Sequence, residues 1–593
     1  MAALFTTPRR NDTTAGTHVA EPDVRRRIGL AHGSWRRVTR RIVAGAVCAL
    51  TVSSLLKPSV SLAAEWVKVG GNKYNTAASD EAGTWSWDGA DDLKLNNYNG
   101  GEIQAAGKLN VNYSGTNIVT AEWIESIKVS HGTNENAELN IQGDEGGTLS
   151  VTSTEDAILS TGNINIDGAG SVNATSTGFD AINAGGDLAI KGSGNVNATG
   201  ASDGIRANGN ITIDDSGAVT ARATKDKGIG ADKNLTIKGG GTVEASSADG
   251  EALWSGGNIN ISDGSQVKAS SEKDAAVEAK GSLAVTNASL DASGVEYGVY
   301  AYKGVTLDHA TVMVRTSANG CQAIALITDG DDIVIKNGST VDAFAEGEVS
   351  AAFSTRNDRP NEKGGHIYIS DSVVKAIARY VENGDGPIPY SENQDGETRR
   401  EPQGENIGII AQTSEGVTPA VISIIRSKVT AEGDTAAIFA RAMSADGKTI
   451  GTIKIENAAI QTPEGGKVID YRKLRDGIYE AGQAIGTGDA TVDSLYIKAV
   501  AKSTTIAPPE VAKPEDPKPD ETKPAESKPA ESKQNPKPEG SKPTKAVAAS
   551  TTKAKTTGVL AATGDTSGAA IVATVLAGTA AIAAGTMASR KRS

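Results

Sequence analysis

The sequence is poor in aromatic residues, which make up 4% of its 593 residues. A chain of compact domains needs many large side chains for its cores, so this composition argues against a standard multi-domain enzyme. Glycine, by contrast, occupies 68 positions, which is about twice its usual share. Hydrophobic residues, at 38%, suffice for small cores that recur. The composition therefore predicts a repeat protein, in which each unit buries little surface and stacking buries the rest.

Cysteine and histidine are also scarce. The two cysteines are Cys48 and Cys321, and Cys48 falls in a segment that we expect to be removed. One remaining thiol excludes an intramolecular disulfide, a CxxC redox pair and a Cys-rich zinc site. The body keeps His131, His309 and His366, none of which has an HExxH-like neighbour. We therefore expect no histidine-based metal centre and no required cofactor.

Basic residues do not balance the acidic ones, and the formal charge is −13 at pH 7. Residues 1–64 carry a net +7 and residues 564–593 a net +2, so the rest of the chain carries −22. A body this acidic repels polyanions. The charge therefore excludes nucleic acid as a partner and suits divalent cations or neutral partners.

Residues 1–64 have the pattern of a signal peptide with an extended basic n-region. Four arginines between positions 36 and 41 precede an apolar run over residues 42–56, and small residues end the segment at Ala63 and Ala64. The apolar run is short for a membrane span of about 20 residues. We expect export and cleavage after one of these alanines, with an uncleaved signal anchor as the alternative.

The C-terminal segment 560–593 combines a pentapeptide, an apolar run over 569–588 and a basic end. This order resembles an LPxTG-like sortase cell-wall sorting signal of Gram-positive surface proteins, with LAATG in place of the commonest motif. The resemblance implies that a sortase attacks the Thr563 carbonyl and that peptidoglycan is then joined covalently to Thr563, while the apolar run forms a membrane-embedded helix. The alternative is a plain tail anchor. The motif is Leu560, Ala561, Ala562, Thr563 and Gly564.

A low-complexity segment over residues 508–557 precedes the sorting signal. It holds ten of the nineteen prolines, among many lysines and glutamates. Proline at this density prevents helices and sheet ladders, so we expect a disordered, solvated stalk that spans the cell wall.

The body of the chain is one repeat over residues 131–345. An apolar–polar–apolar triplet returns at a nearly constant interval, and two further short strands follow each triplet. Three strands of period 2 per unit of about 24 residues, joined by Gly, Asn and Asp turns, predict an all-β fold, a right-handed parallel β-helix. The triplets are Leu139-Asn140-Ile141, Ile164-Asn165-Ile166, Leu188-Ala189-Ile190, Ile211-Thr212-Ile213, Leu235-Thr236-Ile237, Ile259-Asn260-Ile261 and Leu283-Ala284-Val285.

The pattern is looser on both sides of this repeat. We expect an N-terminal cap and irregular first coils over residues 65–130, where Trp66, Trp85 and Trp87 would cover the open end of the core. Over residues 346–507 the triplets are more widely and unevenly spaced, which predicts coils with inserted loops.

The repeat, with its acidic-Ala/Gly-Ile turns and Gly-Asn-Leu/Ile-x-Ile strands, resembles a bacterial family of surface carbohydrate-binding proteins with a pectate-lyase-like β-helix. The resemblance covers residues 131–345. It implies calcium and polysaccharide binding without cleavage.

Asp156, Asp180 and Asp203 occupy equivalent positions just before the third strand of three successive coils. Carboxylates stacked about 4.8 Å apart repel one another unless a cation intervenes, and hard oxygen ligands suit Ca²⁺. They are our candidate calcium ligands. The alternative is that aspartate only serves the turn.

The outward positions of the third strand include Arg206, Trp254, Glu278 and Tyr300, and Tyr302 follows one alternation later. We expect Trp254 and Tyr300 to face solvent and to form, with Arg206 and Tyr302, a platform on which sugars stack. The alternative is a set of side chains that covers an adjacent loop.

Together these features predict a cell-wall-anchored surface protein that binds a polysaccharide or a host or neighbour-cell glycan without catalysis, with Ca²⁺ as the candidate ion. A protein-binding adhesin is the first alternative. A β-helix polysaccharide lyase or glycoside hydrolase is the second, although no paired carboxylates with a nearby histidine stand out in the sequence.

Overall fold

A computed structural model of the protein describes residues 63–133, 137–357, 365–381, 405–414, 416–445, 447–475, 478–488 and 499–509. These residues belong to one compact unit, Met1–Val511. They are all-β, with strands in two long and mainly parallel sheets, and the described ranges contain no helix. The prediction of an all-β, β-helix-like fold is confirmed.

Antiparallel strands cover the N-terminal end of the core. β1 pairs antiparallel with β2 and β7, and β4 pairs antiparallel with β5, which places the buried Trp85 and Trp87 opposite Leu95 and Leu93. From β5 onward the first strands of successive coils pair in parallel. The strands are β1 Trp66–Val69, β2 Asn72–Tyr74, β3 Ala78–Ser79, β4 Trp85–Trp87, β5 Asp92–Asn96, β6 Asn99–Gly100, β7 Ile103–Ala106, β8 Lys108–Ser114, β9 Thr116–Ala121 and β10 Ile127–Ser130.

The regular coils follow, each with three strands. The strands are β11 Glu138–Gly143, β12 Thr148–Ser153, β13 Ile158–Ser160, β14 Asn163–Gly168, β15 Ser171–Ser176, β16 Ile182–Ala184, β17 Leu188–Lys191, β18 Val196–Gly200, β19 Ile205–Ala207, β20 Ile211–Asp214, β21 Ala218–Ala223, β22 Ile229–Ala231, β23 Leu235–Lys238, β24 Thr242–Ser247, β25 Leu253–Ser255, β26 Ile259–Ser262, β27 Gln266–Ser271, β28 Val277–Ala279, β29 Leu283–Thr286, β30 Ser289–Gly294, β31 Tyr297–Ala301 and β32 Val305–Asp308.

From β11 to β30 each strand pairs in parallel with the strand three places later, so the coils build a first, a second and a third strand stack. In the first stack Ile164 is directly opposite Leu188, and Leu188 is opposite Ile211, as the triplets predict. The inward residues are almost fully buried and form one continuous core. Register is specified because a slip of one residue would turn every inward side chain toward solvent.

An amide ladder runs along the turn before the first stack. The Oδ1 atoms of Asn163, Asp187, Asn210 and Asn234 each accept the backbone N–H of the equivalent residue one coil later, at 2.7–3.3 Å. These bonds satisfy turn amides that the sheet ladders leave free, and they fix the distance between coils.

Beyond β32 the second and third strands of a coil merge. The 19-residue β33 pairs with the 18-residue β35, and β35 runs through the predicted boundary at residue 345. The remaining strands are β33 Thr311–Asp329, β34 Ile333–Lys336, β35 Thr340–Asn357, β36 Ile367–Ser370, β37 Val373–Tyr380, β38 Asn406–Thr413, β39 Val421–Ile425, β40 Lys428–Gly433, β41 Ala436–Ser444, β42 Thr452–Glu456, β43 Ala459–Thr462, β44 Lys467–Arg475, β45 Ile478–Gly486 and β46 Ser503–Ala507.

The C-terminal end of the solenoid is closed by antiparallel strands. β45 pairs with β41 and β44, and β46 pairs with β40 and β43. Antiparallel pairing thus ends the parallel run of the second and third strand stacks, whereas the described part of the first stack ends at β42, which pairs in parallel with β39.

Several predicted segments lie outside the described residues. They are most of the signal peptide 1–64, nearly all of the stalk 508–557, the sorting signal 560–593 with its predicted helix, and most of the inserted loops predicted near 355–364 and 383–405. The described part of the chain offers no helix that could span a bilayer.

Candidate functional site

Three predicted site residues, Arg206, Trp254 and Tyr300, share one outward column on the third strand stack. The register places each member directly opposite the next, one coil further along. Neighbouring members are therefore about 4.8 Å apart along the axis. We name this the outer column, and its first part is Leu159, Asn183, Arg206, Gly230, Trp254, Glu278 and Tyr300.

The three predicted calcium ligands lie beside the outer column, at the turn that precedes the strand. Asp156 Oδ1 accepts the backbone N–H of Asp180 at 3.0 Å, and Asp180 Oδ1 accepts that of Asp203 at 2.9 Å. Asp203 Oδ1 in turn accepts the N–H of Lys227 at 2.6 Å. The carboxylates thus form a second ladder, which satisfies one backbone donor per coil.

The second oxygen of each carboxylate is engaged as well. Asn183 Nδ2 donates to Asp156 Oδ2 at 3.1 Å and to Asp180 Oδ2 at 2.9 Å. Arg206 donates to Asp203 Oδ2 at 3.4 Å and lies 3.5 Å from Asp232. These bonds account for the carboxylates without a cation. Calcium binding at these three residues stays a prediction.

Burial shapes the charge of this ladder. Desolvation raises the pKa of Asp156 and Asp180, and it raises the pKa of Asp203 to about 6. In the described ranges, three carboxylates come within 4.8 Å of one another only at Asp88, Asp91 and Asp92, near the N-terminal end. Asp88 Oδ1 there accepts the backbone N–H groups of Ala90 and Asp92, which is a turn arrangement.

Trp254 lies in a group of charged and aromatic side chains. The indole is half-buried, and Lys227 Nζ lies 5.2 Å from its ring centroid. Glu278, the next member of the outer column, forms an ion pair with Lys280. Lys280 Nζ lies 4.2 Å from the Tyr302 ring centroid and donates to the Tyr302 hydroxyl at 3.0 Å. The structure therefore brings Trp254 and Tyr302 to one surface, with opposite charges between them.

Glu251 joins this group because Glu278 is close enough to influence its titration. Two carboxyl groups at close range disfavour each other's charged form. Burial is the largest cause that raises the pKa of Glu251 to about 7, and Glu278 raises it further. We name the whole group the aromatic–carboxyl patch, and it consists of Lys227, Glu251, Trp254, Glu278, Lys280 and Tyr302.

The prediction that Tyr300 faces solvent is wrong. Its side chain is 9% exposed and stacks on Tyr302, with ring centroids 4.5 Å apart and planes 19° apart. Tyr297 covers it from another side, at 5.0 Å. The physical reason lies further along the solenoid, where the outer column becomes apolar and a second buried cluster includes Tyr300, Ile327 and Phe439. The buried Tyr300 ring therefore packs against the half-buried Tyr302 ring and supports it.

Arg206 is separated from Trp254 by Gly230, and so lies about 10 Å away along the axis. Its guanidinium is directed to the carboxylates of Asp203 and Asp232. The structure therefore places Arg206 on the outer column but outside the aromatic–carboxyl patch.

Sequence reasoning missed three members of the patch. Lys227 and Glu251 occupy the two positions that follow Asp203 in the column of the acidic ladder, where the run of aspartates ends. In the sequence, this change indicated only that the pattern stops. Lys280 belongs to the same register row as Tyr302, one coil earlier. The sequence did contain a signal for these residues. Comparing all outward positions of three neighbouring coils places them together, whereas following one position along many coils does not.

Comparison with protein-family models, with curated proteins and with solved structures finds no match for this chain. The resemblance to the surface carbohydrate-binding family and to sortase substrates therefore stays a prediction from the residues.

Proposed function

We propose that the protein is an exported, wall-anchored surface protein whose right-handed parallel β-helix binds a polysaccharide without cleaving it. The observation that carries the proposal is the aromatic–carboxyl patch. It presents a half-buried indole and a half-buried phenol on one face of a rigid sheet, with paired charges between them.

The chemistry of the patch suits a sugar chain. Aromatic faces supply apolar contact area for the C–H faces of pyranose rings, and flanking polar groups fix orientation. Trp254 and Tyr302 lie two coils apart, so about 10 Å separates them along the axis, which is close to two sugar units. Glu278 and Lys280 lie between them as hydrogen-bonding groups for hydroxyls.

The contact between Glu251 and Glu278 favours binding over hydrolysis. Glycosidases hold their two carboxyl groups about 5–9.5 Å apart, so that the scissile bond and a nucleophile fit between them. Glu278 is ion-paired with Lys280, which holds its carboxylate in place and keeps it from serving as the proton donor. Glu251, with its pKa raised to about 7, supplies a carboxylic acid that can donate and accept hydrogen bonds.

The anchoring part of the proposal rests on the motif order. An LAATG pentapeptide, an apolar run and a basic end follow a proline-rich stalk, which would join Thr563 to peptidoglycan through a sortase. Such a stalk would lift the solenoid away from the wall. The aromatic–carboxyl patch would then be accessible to glycans at the cell surface.

The test is a glycan-array assay on the purified full-length chain, in millimolar Ca²⁺ and again with a chelator. Trp254→Ala and Tyr302→Ala are expected to weaken binding at least tenfold. The matched control is Tyr368→Ala, which removes an aromatic ring from the first strand stack. Tyr368 is 37% exposed, and this variant is expected to bind like the parent.

Parent protein that binds no glycan in either buffer would contradict the proposal and favour the protein-binding adhesin. Binding that the chelator abolishes would support a calcium ion in the interaction. Release of reducing ends or of unsaturated products would instead favour the enzyme alternative.

A further inference from the structure

Two aromatic side chains stand out from the turns that join the second and third strand stacks, far from the aromatic–carboxyl patch. Trp123 is 80% exposed and Phe179 is 51% exposed. Both are large apolar side chains. Because the protein has few aromatic residues, competition for space in the core does not explain why these two are exposed. We name the turn segment that carries them the turn ridge, and it consists of Trp123, Thr154, Gly178 and Phe179.

The backbone at Trp123 is held in an unusual conformation. Its φ of 64° lies in the left-handed region, which bulky side chains rarely adopt. The Thr154 hydroxyl, one coil further along, accepts the Trp123 backbone N–H at 2.9 Å. The neighbouring coil thus helps to hold a strained turn, and the indole gains little burial in return. A strained residue with an exposed ring is a reason to look for a binding role.

The turn ridge keeps a fixed spacing between its two rings. A Cβ atom on Gly178 would lie 2.3 Å from the Thr154 carbonyl oxygen, so only glycine allows these turns to stack this closely. The Phe179 backbone N–H donates to Ser176 Oγ at 3.0 Å, and its carbonyl oxygen accepts the N–H of Ser202 at 3.0 Å. Trp123 and Phe179 are therefore two coils apart, about 10 Å along the axis.

Carboxylates surround the turn ridge. Glu122 adjoins Trp123 in sequence and is exposed, and Glu155 adjoins Thr154. Glu125 lies 2.8 Å from Lys128, so that this lysine is already paired. The negative field disfavours polyanions, whereas carboxylates accept hydrogen bonds from hydroxyl groups. The charge therefore suits a ligand that has hydroxyls and no negative charge.

We propose that Trp123 and Phe179 form a second glycan-binding platform, which takes an uncharged polysaccharide by stacking on every second sugar ring. The inference rests on the proposed function, since it takes the protein to be a polysaccharide binder. The platform begins five coils before Trp254, about 24 Å along the axis. A long chain laid along the solenoid can contact both surfaces, which raises its overall affinity without new contacts.

The experiment titrates the purified full-length protein with soluble uncharged glucan, mannan and xylan and, separately, with polygalacturonate. Trp123→Ala and Phe179→Ala are each expected to weaken binding of an uncharged polymer at least tenfold. Trp123→Gly removes the ring but tolerates the left-handed backbone, so it separates loss of the indole from damage to the turn. Tyr368→Ala is again the control.

Unchanged binding of the uncharged polymers by all three ridge variants, with loss in Trp254→Ala, would overturn the inference and leave the proposed function intact. Binding of polygalacturonate alone would overturn the ligand class. A parent protein that binds none of the polymers would contradict both proposals.

Discussion

The outer column has two parts that share one backbone geometry and differ in what they present. From Leu159 to Trp254 its members are half-buried except for Gly230, whereas Ile327, Ser354, Ile410 and Phe439 continue the same register as buried residues. The inward residues are mainly apolar in both parts. The inward residues therefore hold the coils together in both parts of the solenoid. The outward residues differ, since the first part of the column is accessible and the later part is packed.

The charged residues show the same division. In the C-terminal part, Arg441 is buried and donates to both carboxylate oxygens of Glu405 at 2.9–3.0 Å and to Gln412 at 2.6 Å, with Glu480 at 3.9 Å. In the N-terminal part, Arg206 is half-exposed and its two carboxylate contacts are 3.4–3.5 Å long. A guanidinium in the packed part therefore holds a structure together, and one in the accessible part contributes little.

The largest effect is expected from Arg441→Ala. The substitution removes the ion pairs of the buried guanidinium with Glu405 and Glu480, which should lower the free energy of unfolding by about 3–5 kcal/mol. Arg206→Ala is the matched variant and should cost about 1 kcal/mol or less. Urea denaturation of the two variants measures the difference, and equal losses would contradict the division of the outer column.

A smaller effect is expected at the acidic ladder. Asp203→Ala leaves the Lys227 backbone N–H without its acceptor and should cost about 1–3 kcal/mol, because the site is buried. Asp203→Asn keeps an acceptor oxygen at the same place and should cost less than about 1 kcal/mol. Thermal unfolding measures the loss of stability in both variants. Equal losses would mean that the negative charge of Asp203 matters and its hydrogen bond does not, as expected for a cation site.

The smallest effect is expected in the pH dependence of stability. The folded protein keeps a proton on Glu251, whose pKa is raised to about 7, whereas the unfolded chain releases it near 4.5. Stability should therefore fall as pH rises from about 4.5 to 7, by on the order of 1–2 kcal/mol. Glu251→Gln should flatten this dependence, and the exposed Glu272→Gln should not. Melting temperatures across this range would show parallel curves for parent and Glu251→Gln if folding did not raise the pKa of Glu251.

The coils could be predicted from the sequence because their inward residues repeat. Ile164, Leu188 and Ile211 identify the first strand stack, and the register pairs them as the spacing requires. The ladder through Asn210 follows the same repeat, since asparagine or aspartate recurs at one position of successive coils. A strand period of 2 fixes which side chains point inward, and that information is local.

The rest depended on contacts that no period encodes. Tyr300 is buried because the merged strands β33 and β35 and the apolar residues beyond them extend the packed region to its ring. Glu251 lies beside Glu278, although the two residues belong to neighbouring columns and to neighbouring coils. Each residue therefore departs from the pattern of its own column, and neither column alone shows that they are close. The exposure of Trp123 depends on an irregular early coil, where the repeat gave no register.

The central claim is the proposal that a polysaccharide binds at the aromatic–carboxyl patch. Hydrogen–deuterium exchange of the full-length protein, with and without the polymer that the array identifies, tests it most directly. The account predicts that binding slows exchange in β25, β28 and β31 and leaves β26 and β29, on the first strand stack, unchanged. Protection confined to the first strand stack, or to the packed strands β38 and β41, would contradict it.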